Sequence, residues 1–193
     1  MRISVIITTY NRANYLRLCL LGFLNQDEGG FEIIVTDDGS SDHTEELVNR
    51  YQKIAPFPVL YLYQGDKGHR RTRAINRAVV AARGDWLLFT DCDSIPARNL
   101  VRVHRQKAEK KRMLCGGRVS LDKDYTRILT PMDVLNRTYE EKFNAKVRFQ
   151  HWLRYLKDTF HVIIRKIRRP HNYAVNMSCS LQSMRKVNGY DQN

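Results

Sequence analysis

The sequence predicts an α/β fold: a doubly wound, mostly parallel sheet with a basic helical segment inserted at residues 131–170. Two observations predict it. Short β-branched runs alternate with stretches of helical periodicity through the first two-thirds of the chain, which is the pattern of successive βαβ units. The predicted strands are also apolar along nearly their whole length, as parallel strands covered on both faces are. With 193 residues, the chain is expected to form one domain, 1–193.

The predicted elements follow from apolar spacing and from the residues that bound each run. Strands are predicted at 3–8, 32–36, 59–63, 86–90, 113–119 and 173–179. Helices are predicted at 15–24, 70–82 and 181–187. A further helix is expected to start at Asp42, with Glu45 three residues later completing a capping box. Another is expected to open at Ser94, because Pro96 suits a first helical turn.

The charge balance predicts a polyanionic neighbour. The chain has 33 Lys or Arg against 20 Asp or Glu, a formal net charge of +13. Nucleic acid, anionic lipid or a phosphorylated substrate would each fit this excess.

Four scattered cysteines without Cys-x-x-Cys spacing argue against a zinc site and favour a reduced, cytoplasmic compartment. No run approaches the roughly 20 apolar residues that span a bilayer, and the first strand lacks the features of a signal peptide.

Polar clusters follow three of the predicted strands. They are residues 8–11 after the first strand, Asp37 and Asp38 after the second, and Asp91 and Asp93 at the end of the fourth. Ligands of such sheets bind at the carboxyl ends of the strands, so one crevice is expected to collect all three clusters. For Asp37 and Asp38 the alternative is a turn leading into a helix, since Asp, Gly and Ser favour turns for local reasons.

Asp91 and Asp93 are candidate metal ligands. Residues two apart at a strand end reach the same side of the sheet, where two carboxylates repel each other unless a cation joins them. A hard divalent ion with oxygen ligands fits, and Mg²⁺ or Mn²⁺ usually also takes substrate phosphates. The alternative is a strand-end turn with solvated aspartates.

The motifs, taken in order, resemble those of family 2 glycosyltransferases, inverting enzymes with the A-type nucleotide-binding fold. The matching segments are SVIITTYNR at 4–12, IIVTDDGSSD at 33–42, RAINRA at 73–78, GDWLLFTDCD at 84–93, NMS at 176–178 and VNGYD at 187–191. The last two are similar to the galactosyltransferase-type ending of some members.

The resemblance implies transfer of a sugar, with a UDP-sugar favoured as nucleotide-sugar donor, to a hydroxyl of a glycan or lipid-linked acceptor, with Mn²⁺ or Mg²⁺ as cofactor. It implies a nucleotide-sugar site at Thr8, Tyr10, Asp38, Arg73, Asn76, Asp91 and Asn176. Asp93 would be the direct metal ligand, with Asp91 near the ribose and the metal. Many relatives have Arg-Asn where this chain has Ile75 and Asn76, so Arg73 or Arg71 is expected to replace the base-contacting arginine.

The family's general base is expected to lie beyond Asn193. A Gly-Trp-Gly-x-Glu-Asp-like segment carries that base in relatives and would follow the last residue, so the resemblance implies a chain truncated at its C-terminus. His171 and Asp191 are polar residues near the closing motif, for which a structural role is the expectation.

The basic segment 131–170 predicts one or two amphipathic helices. It contains ten Lys or Arg, and its apolar residues recur at helical spacing: Phe149, Trp152, Leu153, Leu156, Phe160, Ile163, Ile164 and Ile167. Packing of this stripe on the sheet is the favoured interpretation. The alternative hypothesis is attachment to an anionic membrane surface, which would make the protein peripheral at the inner face of the cell membrane.

Other function classes fit less of the sequence. A nucleic-acid-binding protein would account for the charge and for Arg70, Arg71, Arg73 and Arg77 along one helix. No nucleic acid is expected as a partner, because no known recognition signature is present and two acidic pairs would oppose a polyanion. A nucleotidyltransferase would need a glycine-rich triphosphate loop, which the first strand does not lead into. A non-catalytic module that binds nucleotide sugars stays open.

Overall fold

The computed structural model describes residues 1–142 and 174–191, together with residues 145, 147, 149, 150, 152, 153, 156, 157 and 160 between them. Six strands of the described chain form one sheet, in the order β3-β2-β1-β4-β6-β5. They are β1 Ile3–Thr9, β2 Phe31–Asp37, β3 Val59–Tyr63, β4 Trp86–Asp91, β5 Leu114–Cys115 and β6 Met177–Ser180. The first four run parallel, and β6 is antiparallel to both β4 and β5. The predicted mostly parallel α/β sheet is confirmed.

Helices cover both faces of this sheet. The helices are α1 Ala13–Leu24, α2 Thr44–Ile54, α3 Arg71–Ala81, α4 Leu100–Lys107, α5 Lys123–Ile128, α6 Pro131–Leu135 and α7 Leu181–Lys186, with 3₁₀ turns at Thr138–Lys142 and Ala174–Asn176. Alternate strand residues point to opposite faces, so Val5 packs with Leu16 of α1 and Val48 of α2, whereas Ile6 packs with Ala78 of α3. The strands are apolar throughout because each face has its own buried core.

Three predicted boundaries are wrong. The Asp42 carboxylate accepts from the backbone N–H and the hydroxyl of Thr44, at 3.1 and 2.5 Å, and from the backbone N–H of Ala13 at 2.9 Å. Helix α2 begins at Thr44, and the expected capping box is not formed. Helix α4 begins at Leu100. Before it, the carbonyl of Pro96 accepts from the Tyr139 hydroxyl, and the carbonyl of Ala97 accepts both from the Gln26 amide and, in a single turn, from the N–H of Leu100.

The predicted strand 113–119 is only two residues long. After Cys115, the next backbone N–H, of Gly116, donates to the carbonyl of Asn176, the residue just before β6, at 2.6 Å. The Asn176 side chain then donates to the carbonyl of Gly117 at 3.0 Å. A side chain therefore satisfies the backbone that a longer strand would have paired.

The 131–170 segment is described in part. Helix α6 starts with a capping box between Thr130 and Asp133 and with Pro131 in its first turn. The described residues between 145 and 160 are helical, as predicted, but the expected packing of their apolar stripe on the sheet is wrong. Five apolar residues of the stripe are between 43% and 59% exposed: Phe149, Trp152, Leu153, Leu156 and Phe160. Residues 161–173, with His171 and the start of the predicted strand 173–179, lie outside the described residues. No helix in the described part of the chain is long and apolar enough to cross a lipid bilayer.

Candidate functional site

A cavity of about 410 Å³ opens at the carboxyl ends of β1, β2 and β4. Strand β1 lies between the other two, so its last residues occupy the centre of this edge. The lining residues come from all three predicted polar clusters, from the loop between β3 and α3, and from the start of α3: Thr8, Thr9, Tyr10, Arg12, Thr36, Asp38, Asp66, Gly68, His69, Arg71, Ala74, Asp91, Cys92 and Asp93. The sequence-based expectation of one shared crevice is confirmed.

Each carboxylate of the Asp91 and Asp93 pair has an arginine beside it. Asp91 ends β4, and its Oδ1 accepts from the Thr8 hydroxyl at 3.1 Å and from the Arg71 guanidinium. The Oδ2 of Asp93 accepts from Nη1 of Arg12 at 3.1 Å. Both aspartates border the cavity, with side chains 22% and 44% exposed. Two carboxylates and two guanidiniums thus share one wall, with their charges balanced pairwise.

The donor set of this wall fits a divalent cation. Two half-solvated carboxylates on one cavity can supply oxygen ligands, and Mg²⁺ or Mn²⁺ ordinarily completes its shell with water and substrate phosphates. Within the residues described by the structure, no third His, Cys, Asp or Glu joins them to form a cluster of three. A cation held here would therefore depend on a bound ligand for the rest of its coordination.

Asp38 presents a carboxylate that is fixed in place and almost buried, at 8% exposure. Its Oδ1 accepts from the amide of Gln64 at 2.5 Å, and its Oδ2 accepts from the backbone N–H of Arg70 at 2.8 Å. Asp37 is fully buried and faces away: it accepts from the N–H groups of its own turn and from the Tyr61 hydroxyl at 2.6 Å. The turn interpretation is therefore right for Asp37, while Asp38 faces the cavity.

Tyr10 and Asp66 form the outer rim. The Tyr10 hydroxyl donates to Oδ2 of Asp66 at 2.9 Å, and this hydrogen bond to a carboxylate raises the pKa of Tyr10. Asp66 was missed at the sequence level, because it follows β3 in a loop without a recognisable motif. Gly39 brings the two loops together: its φ is +105°, and a Cβ there would lie 2.5 Å from Cα of Asp66. Only glycine fits this conformation and this close approach.

Three residues of the predicted nucleotide-sugar site lie outside the lining of this cavity: Arg73, Asn76 and Asn176. Arg73 is exposed on α3, whereas Arg71, two residues earlier, lines the cavity. Asn76 is half-buried, and its amide donates to the carbonyl of Tyr190 and accepts from its N–H, both at 2.8 Å. The sequence feature that could have identified Arg71 as a cavity residue is its spacing. It lies three residues before Ala74, which faces the same cavity, so both residues lie on one side of the helix.

Asn176 lines a second cavity of about 790 Å³, which meets the first at Arg12 and Asp93. The Asn176 Oδ1 lies 2.7 Å from Nε2 of His104, and the Nδ1 of that ring lies 2.6 Å from the Ser178 hydroxyl. Because an amide oxygen only accepts, the network assigns the ring proton to Nε2. Burial lowers the pKa of His104, which keeps the ring neutral at pH 7. Asn176 is thus held in place in the wall of the second cavity by its own hydrogen bonds.

Solved structures share this architecture. Staphylococcus aureus TarS 1–349, solved in complex with UDP, is 26% identical with a TM-score of 0.50, over 63% of this chain and 38% of that one. The mannosyltransferase PcManGT from Pyrobaculum calidifontis, solved with GDP-Man and Mn²⁺, is 22% identical with a TM-score of 0.65, over 100% of this chain and 48% of that one. The fold is that of the GT-A glycosyltransferases, and the cavity lies at the strand ends where this class of α/β sheet binds ligands.

The chain belongs to glycosyl transferase family 2, whose family model matches residues 4–168. Among relatives, the hyaluronan synthase of Pasteurella multocida is 32% identical over 139 residues, which is 69% of this chain and 14% of that protein. The chondroitin synthase of Escherichia coli is 34% identical over 95 residues, 49% of this chain and 14% of that protein. The chain spans between 14% and 36% of the length of the relatives it matches.

Proposed function

We propose that this chain carries the donor site of a metal-dependent, inverting glycosyltransferase, which moves a sugar from a UDP-sugar to a hydroxyl of a glycan or lipid-linked acceptor. One observation carries the proposal: a fixed carboxylate, a pair of strand-end carboxylates and two arginines line a single cavity of about 410 Å³. A nucleoside diphosphate needs that combination, because its base is recognised by fixed polar groups and its diphosphate by cations.

In this proposal the two sides of the cavity take different parts of the donor. Asp38, held by Gln64 and by the Arg70 backbone, accepts a hydrogen bond from the base, beside Tyr10. Arg71 replaces Arg73 as the arginine that contacts the nucleotide, because it lines the cavity. UDP is the first choice of nucleotide, since TarS, which is 26% identical, was solved with UDP.

Asp93, with Asp91 beside it, would hold Mn²⁺ or Mg²⁺, and the ion would neutralise the charge that develops on the departing diphosphate. Arg12 and Arg71 already face these carboxylates and add positive charge at the same wall. The second cavity meets this wall at Asp93 and contains Asn176, so we place the donor sugar and the acceptor hydroxyl there. The general base is assigned to no residue of this chain.

A thermal-shift experiment tests the donor site. UDP, GDP and dTDP would each be added with and without Mn²⁺ to the wild type, to Asp93→Asn and to Asp124→Asn. Asp124 is a suitable control because its side chain is 94% exposed and outside both cavities. Ligand at about 100 times its dissociation constant adds roughly 2.7 kcal/mol, which raises the melting temperature of a chain of this size by roughly 5–10 °C. We expect that rise with UDP and Mn²⁺ in the wild type and the control, and its loss in Asp93→Asn.

The opposite outcome is equally clear. If no nucleotide shifts the melting temperature of the folded wild type, the donor-site proposal is wrong. Salt-sensitive binding of nucleic acid without metal would then favour the alternative function class.

A pair of arginine variants tests the assignment on α3. Arg71→Gln should weaken UDP binding at least tenfold, because it removes a cation that lines the cavity, whereas Arg73→Gln on the exposed side should leave it within about twofold. The two variants change the net charge equally, so long-range electrostatics cannot separate them. Isothermal titration with UDP is the measurement, and equal losses in both variants would contradict the assignment.

A lipid-linked acceptor would place the reaction at the inner face of the cell membrane, and we keep that location as part of the proposal.

A further inference from the structure

An exposed row of large apolar side chains lies on the basic segment. Phe149, Trp152, Leu153, Leu156 and Phe160 are between 43% and 59% exposed, although all five residues are helical. Their spacing of three, one, three and four residues places them on one face of a helix. The rings of Phe149 and Trp152 stack with centroids 5.8 Å apart. These side chains form the 149–160 face.

Such an exposed row indicates an interaction surface. Single exposed apolar residues are ordinary on soluble proteins, and this chain has them at Ile54 and Val80. A contiguous row that contains three aromatic side chains differs, because large exposed apolar patches mark interaction sites. The row also contradicts the simplest structural role for an amphipathic helix, which would bury these side chains against the sheet.

The surrounding sequence identifies the chemistry of the partner. Between Lys142 and Pro170 the chain has nine Lys or Arg and one acidic residue, Asp158. An apolar helical face with aromatic side chains, within a strongly basic stretch of sequence, is the composition of elements that lie in the plane of an anionic bilayer. Each basic residue near such a surface adds attraction, which fades within a Debye length.

We propose that the 149–160 face binds the surface of an anionic phospholipid membrane, with Phe149 and Trp152 entering the headgroup region. Trp side chains favour this depth, because the ring is apolar and its N–H finds polar partners there. The inference concerns the location part of the proposed function. It can fail while the donor site stands, because the two rest on different residues and different measurements.

The two tryptophans of the chain provide a built-in probe. Trp86 is buried at 3% exposure in the sheet, whereas Trp152 is 54% exposed on the 149–160 face. Vesicles of phosphatidylcholine with 30% phosphatidylglycerol should shift the fluorescence to shorter wavelength, and brominated lipids should quench about half of it. Pure phosphatidylcholine vesicles or 0.5 M salt should abolish both changes. In Trp152→Phe the remaining Trp86 signal should not respond, while co-sedimentation with the anionic vesicles persists.

A charge-introducing pair completes the test. Phe149→Glu with Trp152→Glu should lower the fraction that co-sediments at least tenfold, whereas Val80→Glu with Ile54→Glu, at exposed apolar sites elsewhere, should stay within about twofold. Circular dichroism and the UDP-dependent thermal shift would show that both double variants are folded and that the donor site is intact.

Three results would overturn the inference: equal vesicle binding by the two double variants, no vesicle binding by the wild type, or equal binding to neutral vesicles. Tight binding of single-stranded nucleic acid that the Phe149→Glu, Trp152→Glu variant loses would assign the face to nucleic acid instead.

Discussion

Replacing Arg12 should make the metal site bind its cation more tightly in the absence of nucleotide. Arg12 Nη1 lies 3.1 Å from Oδ2 of Asp93, so a cation that takes Asp93 competes with the guanidinium for the same negative charge. Arg12→Gln removes this competitor and leaves a shorter, uncharged polar side chain. The direction is informative, because a residue that merely maintains the shape of the cavity would weaken metal binding when replaced.

The magnitude follows from the exposure of the pair. Two unit charges 3.1 Å apart attract by about 1.3 kcal/mol in water. The two side chains are 53% and 44% exposed, so solvent and side-chain entropy reduce this to the range of exposed ion pairs, about 0.2–1 kcal/mol. A cation that no longer competes with Arg12 should therefore bind about 1.4- to 5-fold more tightly.

Electron paramagnetic resonance measures this directly, because free Mn²⁺ in solution gives a strong signal that bound Mn²⁺ does not. Titrations without nucleotide would compare the wild type, Arg12→Gln, Arg127→Gln and Asp93→Asn. Arg127 is 78% exposed on α5 and paired with Asp124, so it controls for the loss of one positive charge. The competition would be refuted if Arg12→Gln bound Mn²⁺ no more tightly than the wild type, with the Arg127→Gln control likewise showing no tighter binding. UDP should bind more weakly to Arg12→Gln than to the wild type, since the variant lacks the guanidinium that lies beside the diphosphate.

Three further predictions follow from the fold. Gly39→Ala should lower the free energy of unfolding by about 1–3 kcal/mol in urea denaturation, because the new Cβ meets Asp66 at a φ of +105°. Gly29→Ala, which meets nothing within 4 Å, should stay within about 0.5 kcal/mol, and equal effects would contradict the close approach. Asn76→Ala should lower the free energy of unfolding by about 1–3 kcal/mol, because the Tyr190 backbone loses its two hydrogen bonds to the Asn76 amide. The UDP affinity of the folded protein should stay unchanged, and a loss of affinity would indicate that Asn76 contacts the nucleotide. Burial lowers the pKa of His104 in the folded chain, so as pH falls the unfolded chain binds a proton at this histidine before the folded chain does. The contribution of His104 to the free energy of unfolding is therefore full above about pH 6.5 and declines below it. Urea denaturation of His104→Gln between pH 5 and pH 7 should show a smaller decline than the wild type, and parallel curves would contradict this origin.

The strands and the crevice could be predicted because their causes are local. Residues 3–8 and 86–90 are apolar whichever way they face, and that composition suits a strand buried on both sides. Polar residues directly after such strands must emerge at one edge, so Thr8, Asp38 and Asp91 could be brought together from the sequence. Here periodicity and chain order contain the necessary information.

The errors involve partners that are distant in the chain. Asp42 does accept from the first backbone N–H of its own helix, at Thr44, but its second oxygen accepts from Ala13, and nothing near Asp42 in the sequence indicates that contact. Asp66 reaches the rim only because Gly39 lets two loops touch. Arg71 and Arg73 have the same chemistry, and their assignment depends on a helical phase that the family motif leaves open. Tertiary contacts decided each case, as they usually do for boundaries and for side-chain orientation.

The pairing of β5 with β6 makes the excursion between them a closed unit. The N–H of Gly116 donates to the carbonyl of Asn176 at 2.6 Å, so the chain leaves the sheet and returns to it at the same point. A segment whose ends already meet can be exchanged or lengthened at small entropic cost to the rest of the fold. It is fastened to the core through Asn25, which donates to the α6 carbonyls, and through Tyr139, which donates to Pro96. Gly116 and Asn176 are therefore natural endpoints for exchanging the intervening chain between relatives, while the strands that present Asp38 and Asp91 stay in place.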